Sequence, residues 1–336
     1  MSELNIVDKL QRPLRDLRIS VTDKCNFRCR YCMPAEVFGA GYKFLPREEI
    51  LRFGEIETLA RMLVGVGVEK LRITGGEPLL RRDLPVLIEK LNAIDGVRDM
   101  AMTTNGVLLA RHAEAIKAAG LRRVTVSLDA LDAKIFGEMN GVGAKPEKVL
   151  EGIDTALSVG LGVKINAVVK KGVNEQEAFP LVKLAKEKEI SVRFIEYMDT
   201  GNTNKWQLDE VVPSAELLKM LEKELPLQPK AAKFSGETAV RYGLEGNEGF
   251  EVGFISSVSE PFCGGCNRMR LSAEGKLFAC LFAATGLDVK ELLRNGRERE
   301  LLNAVQHFWT KRDDRYSVLR SEGVVLPKQE MSYMGG

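Results

Sequence analysis

The chain has 336 residues, of which 45% are hydrophobic and 29% are charged, with a formal net charge of +2. These values are ordinary for a globular protein, and the balanced charge gives no overall attraction to nucleic acid or membranes. Residues 1–16 carry charges throughout, without the apolar core of a secretory signal, and no stretch approaches the roughly 18 apolar residues of a membrane span. We therefore expect a cytoplasmic protein with neither a nucleic-acid nor a membrane partner.

The first 200 residues alternate short apolar runs with amphipathic segments. Runs rich in Val, Ile and Thr predict six strands, at residues 17–21, 70–74, 99–104, 123–128, 163–169 and 192–197. Apolar residues at helical spacing predict helices between them, at residues 47–64, 83–94, 109–119, 148–159 and 175–187. This alternation predicts an α/β fold with a parallel sheet, and six units favour a partial (β/α)6 barrel of the TIM type over a closed eight-stranded one.

The pattern changes near residue 200, so we expect the barrel over residues 1–200 and a C-terminal region over 201–336. A helix is predicted over residues 214–225, with Ser214 as its N-cap. Residues 250–256, 268–272 and 276–281 are predicted as antiparallel strands, the last two joined by a turn at 273–275. A helical stretch over 289–309 is followed by a tail that ends in Gly335 and Gly336.

Cys25, Cys29 and Cys32 form a CxxxCxxC cluster directly after the first predicted strand. In a reducing compartment such clustered thiols bind metal more readily than they form disulfides. Three thiolates on one loop can hold three corners of an iron–sulfur cubane and leave the fourth iron open. Structural zinc is the alternative, but it needs a fourth ligand, and His112 and His307 are far away in sequence. The loop would lie at the C-terminal end of a barrel strand, where active sites are found.

Cys263, Cys266 and Cys280 form a second set, because the predicted hairpin returns Cys280 beside the CxxC pair. A zinc ribbon would show a second CxxC, and a redox CxxC would sit in a thioredoxin-like βαβ unit. We therefore favour a second iron–sulfur cluster with an open iron, carried by the C-terminal region, and keep structural zinc as the alternative.

Several basic residues lie inside predicted strands, where a buried unpaired charge is costly. Arg268 and Arg270 alternate along one strand and so share a face, where guanidinium forks suit phosphate oxygens. The alternative is a solvated strand face. Five more basic residues occur on different barrel strands: Arg18, Lys70, Arg72, Lys164 and Arg193. Together they predict a cavity for a polyanion such as a triphosphate, without the GxxxxGKS/T loop of P-loop phosphoryl transfer.

The CxxxCxxC cluster, with an aromatic residue before its last cysteine, resembles the signature of the radical S-adenosylmethionine superfamily. The resemblance implies a 4Fe–4S cluster on Cys25, Cys29 and Cys32, whose open iron binds S-adenosylmethionine for cleavage to a 5′-deoxyadenosyl radical. Residues 74–78, TGGEP, resemble the family element that holds the methionine amino group. The implied contacts to S-adenosylmethionine are Tyr31, Gly76, Ser127 and Met198.

The C-terminal CxxC–x13–C with NRMRL between its cysteines, and the Gly-Gly tail, resemble one family closely, the GTP 3′,8-cyclases of molybdenum cofactor biosynthesis. The matching stretches are residues 18–32, 74–81, 103–106, 126–129, 193–206, 263–282 and 335–336. The resemblance implies that GTP becomes (8S)-3′,8-cyclo-7,8-dihydroguanosine 5′-triphosphate after a radical removes the ribose 3′ hydrogen. It also implies two 4Fe–4S clusters, with guanine at the open iron held by Cys263, Cys266 and Cys280.

The same resemblance assigns further roles. Its implied GTP contacts are Arg18, Lys70, Arg72, Thr103, Lys164, Arg193, Arg268, Met269 and Arg270. Arg18 is also assigned to catalysis, with Gly335 and Gly336 as a supporting tail that reaches into the active site. The implied partners are GTP, S-adenosylmethionine, a reducing electron donor and a downstream cyclic pyranopterin monophosphate synthase, and a homodimer is one assembly that the resemblance allows. Two other functions stay open: a peptide maturase with an auxiliary cluster, and a zinc-stabilised binding module.

Overall fold

The computed structural model describes residues 5–234, 236–322 and 327–335. Within these ranges, twelve strands form one sheet in the order β12-β11-β10-β1-β2-β3-β4-β5-β6-β9-β8-β7. Their bounds are β1 Asp16–Ser20, β2 Lys70–Thr74, β3 Asp99–Thr104, β4 Arg123–Ser127, β5 Gly162–Val169, β6 Ser191–Glu196, β7 Leu227–Lys230, β8 Val240–Leu244, β9 Asn247–Ile255, β10 Arg268–Leu271, β11 Lys276–Phe278 and β12 Leu287–Asp288.

The middle of this sheet is a parallel barrel wall. Strands β1 to β6 pair in parallel with their chain neighbours. Strand β9 extends the wall in parallel beyond β6, and β10 extends it in parallel beyond β1. The remaining C-terminal strands add antiparallel pairs at the two ends, which do not pair with each other in the described part of the chain. The predicted partial barrel with an antiparallel and helical C-terminal region is therefore confirmed.

The helices have the bounds α1 Phe53–Val64, α2 Leu84–Asn92, α3 Leu109–Ala118, α4 Ala133–Asn140, α5 Pro146–Ser158, α6 Ala178–Glu187, α7 Ser214–Glu222, α8 Lys290–Arg294, α9 Glu298–Thr310, α10 Tyr316–Ser321 and α11 Met331–Met334. Those between barrel strands belong to one apolar core with the outward strand residues, such as Leu17, Ile19 and Leu71. Because side chains alternate along a strand, the opposite face is free to carry polar groups. No helix of the described ranges has the length and apolar character to cross a membrane.

The predicted strands and helices of the barrel agree with the structure within a few residues, except at the start of α1. The sequence pattern predicts helix over residues 47–52, but α1 begins at Phe53. The Leu51 amide donates to the Ala273 carbonyl at 2.8 Å, which ties this segment to the β10–β11 turn. The Arg52 amide then donates to the Glu55 carboxylate at 2.6 Å and caps the helix.

The C-terminal region departs further from the prediction. Strands β9 and β10 are antiparallel on one side only, because each pairs in parallel with the barrel on the other. The predicted helix over 289–309 is interrupted at Gly296, whose φ of +65° ends α8. The predicted cap at Ser214 is wrong, since its hydroxyl donates to Glu196 at 3.0 Å. Helix α4 and strands β7 and β8 were not predicted at all.

Candidate active site

A cavity of about 510 Å³ lies along the inner face of the barrel strands. All six cysteines line it, and so do most of the basic residues singled out in the sequence. The structure thus brings together two cysteine sets from opposite ends of the chain. Pockets of this size accommodate small organic ligands with most of their surface buried.

The first cysteine loop is held in place by an arginine within it. The Arg28 guanidinium donates to the carbonyls of Cys25 and Phe38, at 2.8 and 2.6 Å. The backbone N–H of Arg28 donates to the backbone carbonyl of Asn140, at the end of α4, at 2.9 Å. At the next residue, Gly141, an added Cβ would lie 2.1 Å from the Arg28 carbonyl oxygen. Helix α4, which the sequence did not reveal, therefore supports the loop, and only glycine fits at its end.

The thiols of this loop fit a metal cluster. Burial raises the pKa of Cys25 to about 11 and raises the pKa values of Cys29 and Cys32 as well. Cysteines bind metal as thiolates, so the positive charge needed to stabilise that form would come from iron. In the described ranges, no three His, Cys, Asp or Glu side chains are grouped closely enough to hold one metal ion between them. The donor chemistry of three thiols on one loop is that of an iron–sulfur cluster.

The four residues predicted to contact S-adenosylmethionine all line the cavity: Tyr31, Gly76, Ser127 and Met198. The Tyr31 hydroxyl donates to Asp129 at 2.7 Å, which fixes it across from the end of β4. An added Cβ at Gly76 would lie 2.4 Å from the Lys24 carbonyl oxygen, so the GGEP turn lies against the cysteine loop. The contacts to S-adenosylmethionine themselves stay predictions.

Glu77 is a residue that the sequence interpretation read only as part of the GGEP turn. Its buried carboxylate accepts hydrogen bonds from the Thr104 hydroxyl and the backbone N–H of Asn105, both at 2.7 Å. It also accepts one from the backbone N–H of Leu79 at 3.0 Å. Burial raises its pKa to about 7, although these donors oppose the shift. Glu77 therefore locks the end of β2 to the end of β3 beside the cysteine loop.

Strand register places three arginines side by side on the inner face. Arg18 lies opposite Arg72 on one side and Arg270 on the other. Burial lowers the pKa of Arg72 to about 9 and also lowers the pKa values of Arg18 and Arg270. Among the described residues, the buried Nε atoms of Arg18 and Arg72 have no hydrogen-bond partner. Crowded buried cations with unused donors are costly unless an anion joins them, and phosphate oxygens suit guanidinium forks.

Of the other predicted GTP contacts, five line the cavity: Lys70, Thr103, Lys164, Arg193 and Arg268. Met269 is the exception, because alternation along β10 turns its fully buried side chain into the core, and its contact with GTP stays a prediction. The sequence interpretation also missed Arg123, which lines the cavity and lies inside a predicted strand like the other basic residues. Asp16 and Asp99 were missed too, and they lie 3.6 and 3.9 Å from the Lys70 ammonium.

The C-terminal tail reaches this row of arginines. The Gly335 carbonyl accepts a hydrogen bond from Arg270 at 2.5 Å. Gly335 has a φ of +74°, and a Cβ added to this residue would lie 2.6 Å from Cγ2 of Thr74 and 3.1 Å from Cβ of Ser20. Gly336, predicted to share the tail's role, lies outside the described residues. The position of Gly335 fits glycine alone, for reasons of both backbone conformation and space.

Comparison with known proteins agrees with these two halves of the site. Residues 19–185 match the model of the Radical SAM superfamily, and residues 190–318 match that of Molybdenum Cofactor Synthesis C. A GTP 3′,8-cyclase of Staphylococcus carnosus (strain TM300) is 49% identical, over 98% of this chain and 99% of that one. The GTP 3′,8-cyclase of Staphylococcus aureus (strain MRSA252) shows the same identity and coverage.

Among solved structures, Streptococcus suis SuiB bound to S-adenosylmethionine has a TM-score of 0.62 and 17% identity, covering 89% of this chain and 69% of that one. That likeness concerns the fold. A zinc-stabilised binding module is no longer an alternative, because the matching family consists of enzymes. The chain belongs to the GTP 3′,8-cyclase family, within the radical S-adenosylmethionine superfamily, whose members use a 4Fe–4S cluster and S-adenosylmethionine.

Proposed function

We propose that this protein converts GTP to (8S)-3′,8-cyclo-7,8-dihydroguanosine 5′-triphosphate, in the first step of molybdenum cofactor biosynthesis. The relatives that carry the name GTP 3′,8-cyclase support this, at 49% identity over 98% of the chain. The structural observation that carries the proposal is a single cavity lined by both cysteine sets and by basic residues. When bound, the cluster and S-adenosylmethionine would supply a 5′-deoxyadenosyl radical that removes the ribose 3′ hydrogen. C3′ would then bond to C8 of guanine, and the resulting base radical would take up one electron from the reducing donor and one proton to give the dihydro product.

Each cysteine set would hold one 4Fe–4S cluster. We assign Cys25, Cys29 and Cys32 to the cluster that binds S-adenosylmethionine, and Cys263, Cys266 and Cys280 to the one that binds guanine. In the second set, burial raises the pKa of Cys280 to about 12. At Cys266 burial also acts to raise the pKa, but Arg268 and Arg312 outweigh it and lower the value to about 6.

The chain's own residues would position the substrate. The row of Arg18, Arg72 and Arg270 would bind the triphosphate through guanidinium donors, and Arg18 lies at its centre. Hydrogen abstraction requires the two reacting centres within about 3–4 Å of each other, which such anchoring provides. The barrel wall would exclude water that could quench the radical. No general base is required, because the cofactor supplies the difficult chemistry.

We further propose residues 1–200 as the S-adenosylmethionine barrel and 201–336 as the substrate region. The two regions share one sheet, because β9 and β10 pair directly with β6 and β1. The reaction would need a reducing electron donor, and its product would pass to a cyclic pyranopterin monophosphate synthase. A homodimer and a cytoplasmic location also stay predictions.

Turnover with GTP deuterated at ribose C3′ tests this proposal. The protein would be reconstituted with iron and sulfide without oxygen, then given dithionite, S-adenosylmethionine and labelled GTP. We expect deuterium in the 5′-deoxyadenosine, together with the cyclised nucleotide. Unlabelled 5′-deoxyadenosine formed equally without GTP would keep the radical chemistry and reject GTP as substrate. That result would favour the peptide-maturase alternative.

The affinity for GTP should depend on pH through Lys164. Burial, with Arg193 nearby, lowers the pKa of Lys164 to about 7. A bound triphosphate would raise that pKa, so binding takes up a proton. Affinity should therefore be highest below about pH 7, and above it should fall by up to about tenfold per pH unit until the pKa of the complex is passed. Binding measured from pH 6 to 9 checks this, and Lys164→Met should be weaker but flatter with pH. An identical slope in that variant would assign the proton to another group.

A further inference from the structure

Two arginines from distant parts of the chain converge on the second cysteine loop, residues 263–266. Arg12, which precedes β1, donates from Nη1 to the Cys263 carbonyl at 2.9 Å. Arg312, which follows α9, donates from Nη1 to the Cys266 carbonyl at 2.7 Å. Both side chains are only 2% exposed, and both line the cavity. The loop contains two glycines and therefore depends on such outside contacts to keep one shape.

A buried carboxylate joins the two arginines. Asp8 is fully buried and lies 2.5 Å from Arg12 Nε and 3.4 Å from Arg312 Nη1. Asp314 lies 2.7 Å from Arg312 Nε and 3.8 Å from Arg12 Nη2, which has no hydrogen-bond partner within the described ranges. The Trp309 indole donates to the Arg12 carbonyl at 3.2 Å and lies beneath the Arg312 guanidinium. The arrangement is therefore rigid on the side away from the loop.

Burial of two guanidiniums is expensive, and hydrophobic packing would hold a loop at lower cost. Their charge lies directly beside the loop, because Arg312 Nη1 is 2.7 Å from the Cys266 carbonyl oxygen and Arg12 Nη1 is 2.9 Å from that of Cys263. Asp8 and Asp314 pair with both guanidiniums, so a neutral residue in place of Arg312 would leave uncompensated negative charge next to this loop.

We propose that Arg12 and Arg312 are positioning residues for the auxiliary cluster, and that the charge of Arg312 beside Cys266 makes this cluster easier to reduce. The inference rests on the proposed function, because it requires a 4Fe–4S cluster on Cys263, Cys266 and Cys280. Nearby positive charge stabilises the more negative, reduced state of a cluster, and hydrogen bonds around its ligands tune its potential. The two arginines act through the loop and the field, without bonding to iron.

The test measures the midpoint potential of the auxiliary cluster alone. A full-length background variant with Cys25, Cys29 and Cys32 changed to serine removes the other cluster, and electron paramagnetic resonance follows the reduction. In this background we expect Arg312→Gln to lower the ratio of reduced to oxidised cluster about tenfold, measured at the midpoint potential of the background protein. For a one-electron couple, this tenfold change is a fall in midpoint potential of about 59 mV. Lys311→Gln is the matched control, since this neighbouring side chain is exposed, and its midpoint should not move.

Charge and geometry are separated by Arg312→Lys, which keeps the charge and loses the planar fork. Its midpoint should stay near that of the background, while a chelator should remove its iron faster. Arg12→Gln should speed iron removal in the same way. Unchanged iron release in Arg312→Lys and Arg12→Gln would overturn the positioning role, even if Arg312→Gln gave no folded protein. An unchanged midpoint in Arg312→Gln would overturn the charge effect. A background protein that binds no cluster would reject the proposed second cluster itself, which is a distinguishable failure.

Discussion

Replacing Cys29 with serine should bring S-adenosylmethionine cleavage below detection. Its half-buried thiol is one of three candidate ligands on the first loop and lines the cavity. Changes in groups that merely support a metal ligand already cost about 10–100-fold in affinity or activity, so loss of a ligand should cost more. The iron content should fall from about eight to about four per chain if each set holds one cubane. Anaerobic 5′-deoxyadenosine formation and iron analysis check both expectations.

The matched control is Cys280→Ser, which removes a ligand from the other set. We expect this variant to lose a similar amount of iron but to keep cleaving S-adenosylmethionine when dithionite is present. It should form no cyclised nucleotide, because guanine would lose its anchor. Equal loss of cleavage in both variants would contradict two independent clusters. Persistent cleavage in Cys29→Ser would remove the first loop from the proposed role.

The sequence alone reveals features that depend on neighbours in the chain. The sequence predicts strands β2 and β3 at their observed bounds, because short apolar runs that contain Ile or Thr and end at turn residues are local signals. Both cysteine sets were recognised from spacing, and the structure places both at one cavity. The basic residues inside β1 and β2, which are Arg18, Lys70 and Arg72, likewise predict a cavity for an anion, and all three line the observed cavity.

Pairings between distant segments were beyond the reach of such signals. The parallel pairing of β10 with β1 brings Arg270 beside Arg18, yet nothing local specifies that neighbour. The hairpin predicted between β10 and β11 accounts for the pairing at one edge of β10 only, so the sequence predicts β10 as a purely antiparallel strand. The contact of Arg12 with Cys263 joins the two ends of the chain in the same way. These contacts are decided by which apolar faces fit together after collapse, and one sequence does not contain that information in a local pattern.

Met269 shows what local physics adds to a resemblance. A resemblance to a motif carries over every residue in it, whichever face of the strand that residue lies on. Alternation along the strand places Arg268 and Arg270 at the cavity and turns Met269 into the core. The same rule, applied strictly to β4, would have added Arg123 to the predicted cavity residues.

Replacing Gly335 with alanine should reduce GTP turnover at least tenfold while cluster content stays unchanged. The new Cβ would lie 2.6 Å from Cγ2 of Thr74, so either the tail or the end of β2 must move. The φ of +74° and ψ of 108° at this position are sparsely populated by non-glycine residues, which adds about 1–3 kcal/mol of strain. Displacement would also withdraw the carbonyl that accepts from Arg270. Shifts of about 1 Å near a reacting geometry can cost about a hundredfold in rate.

Gly246→Ala is the control, because this glycine has a φ of +75° but no atom within 4 Å of an added Cβ. It also places alanine at a positive φ but without the collision, and it lies in the turn between β8 and β9, far along the chain from the tail. Turnover, iron content and thermal unfolding would be measured for both variants. A fall in turnover confined to Gly335→Ala, at equal iron content, would assign the effect to the contact of the tail with Thr74 and Arg270. Equal turnover in the two variants would mean that the tail tolerates a side chain there, and that its role does not depend on close approach to β2.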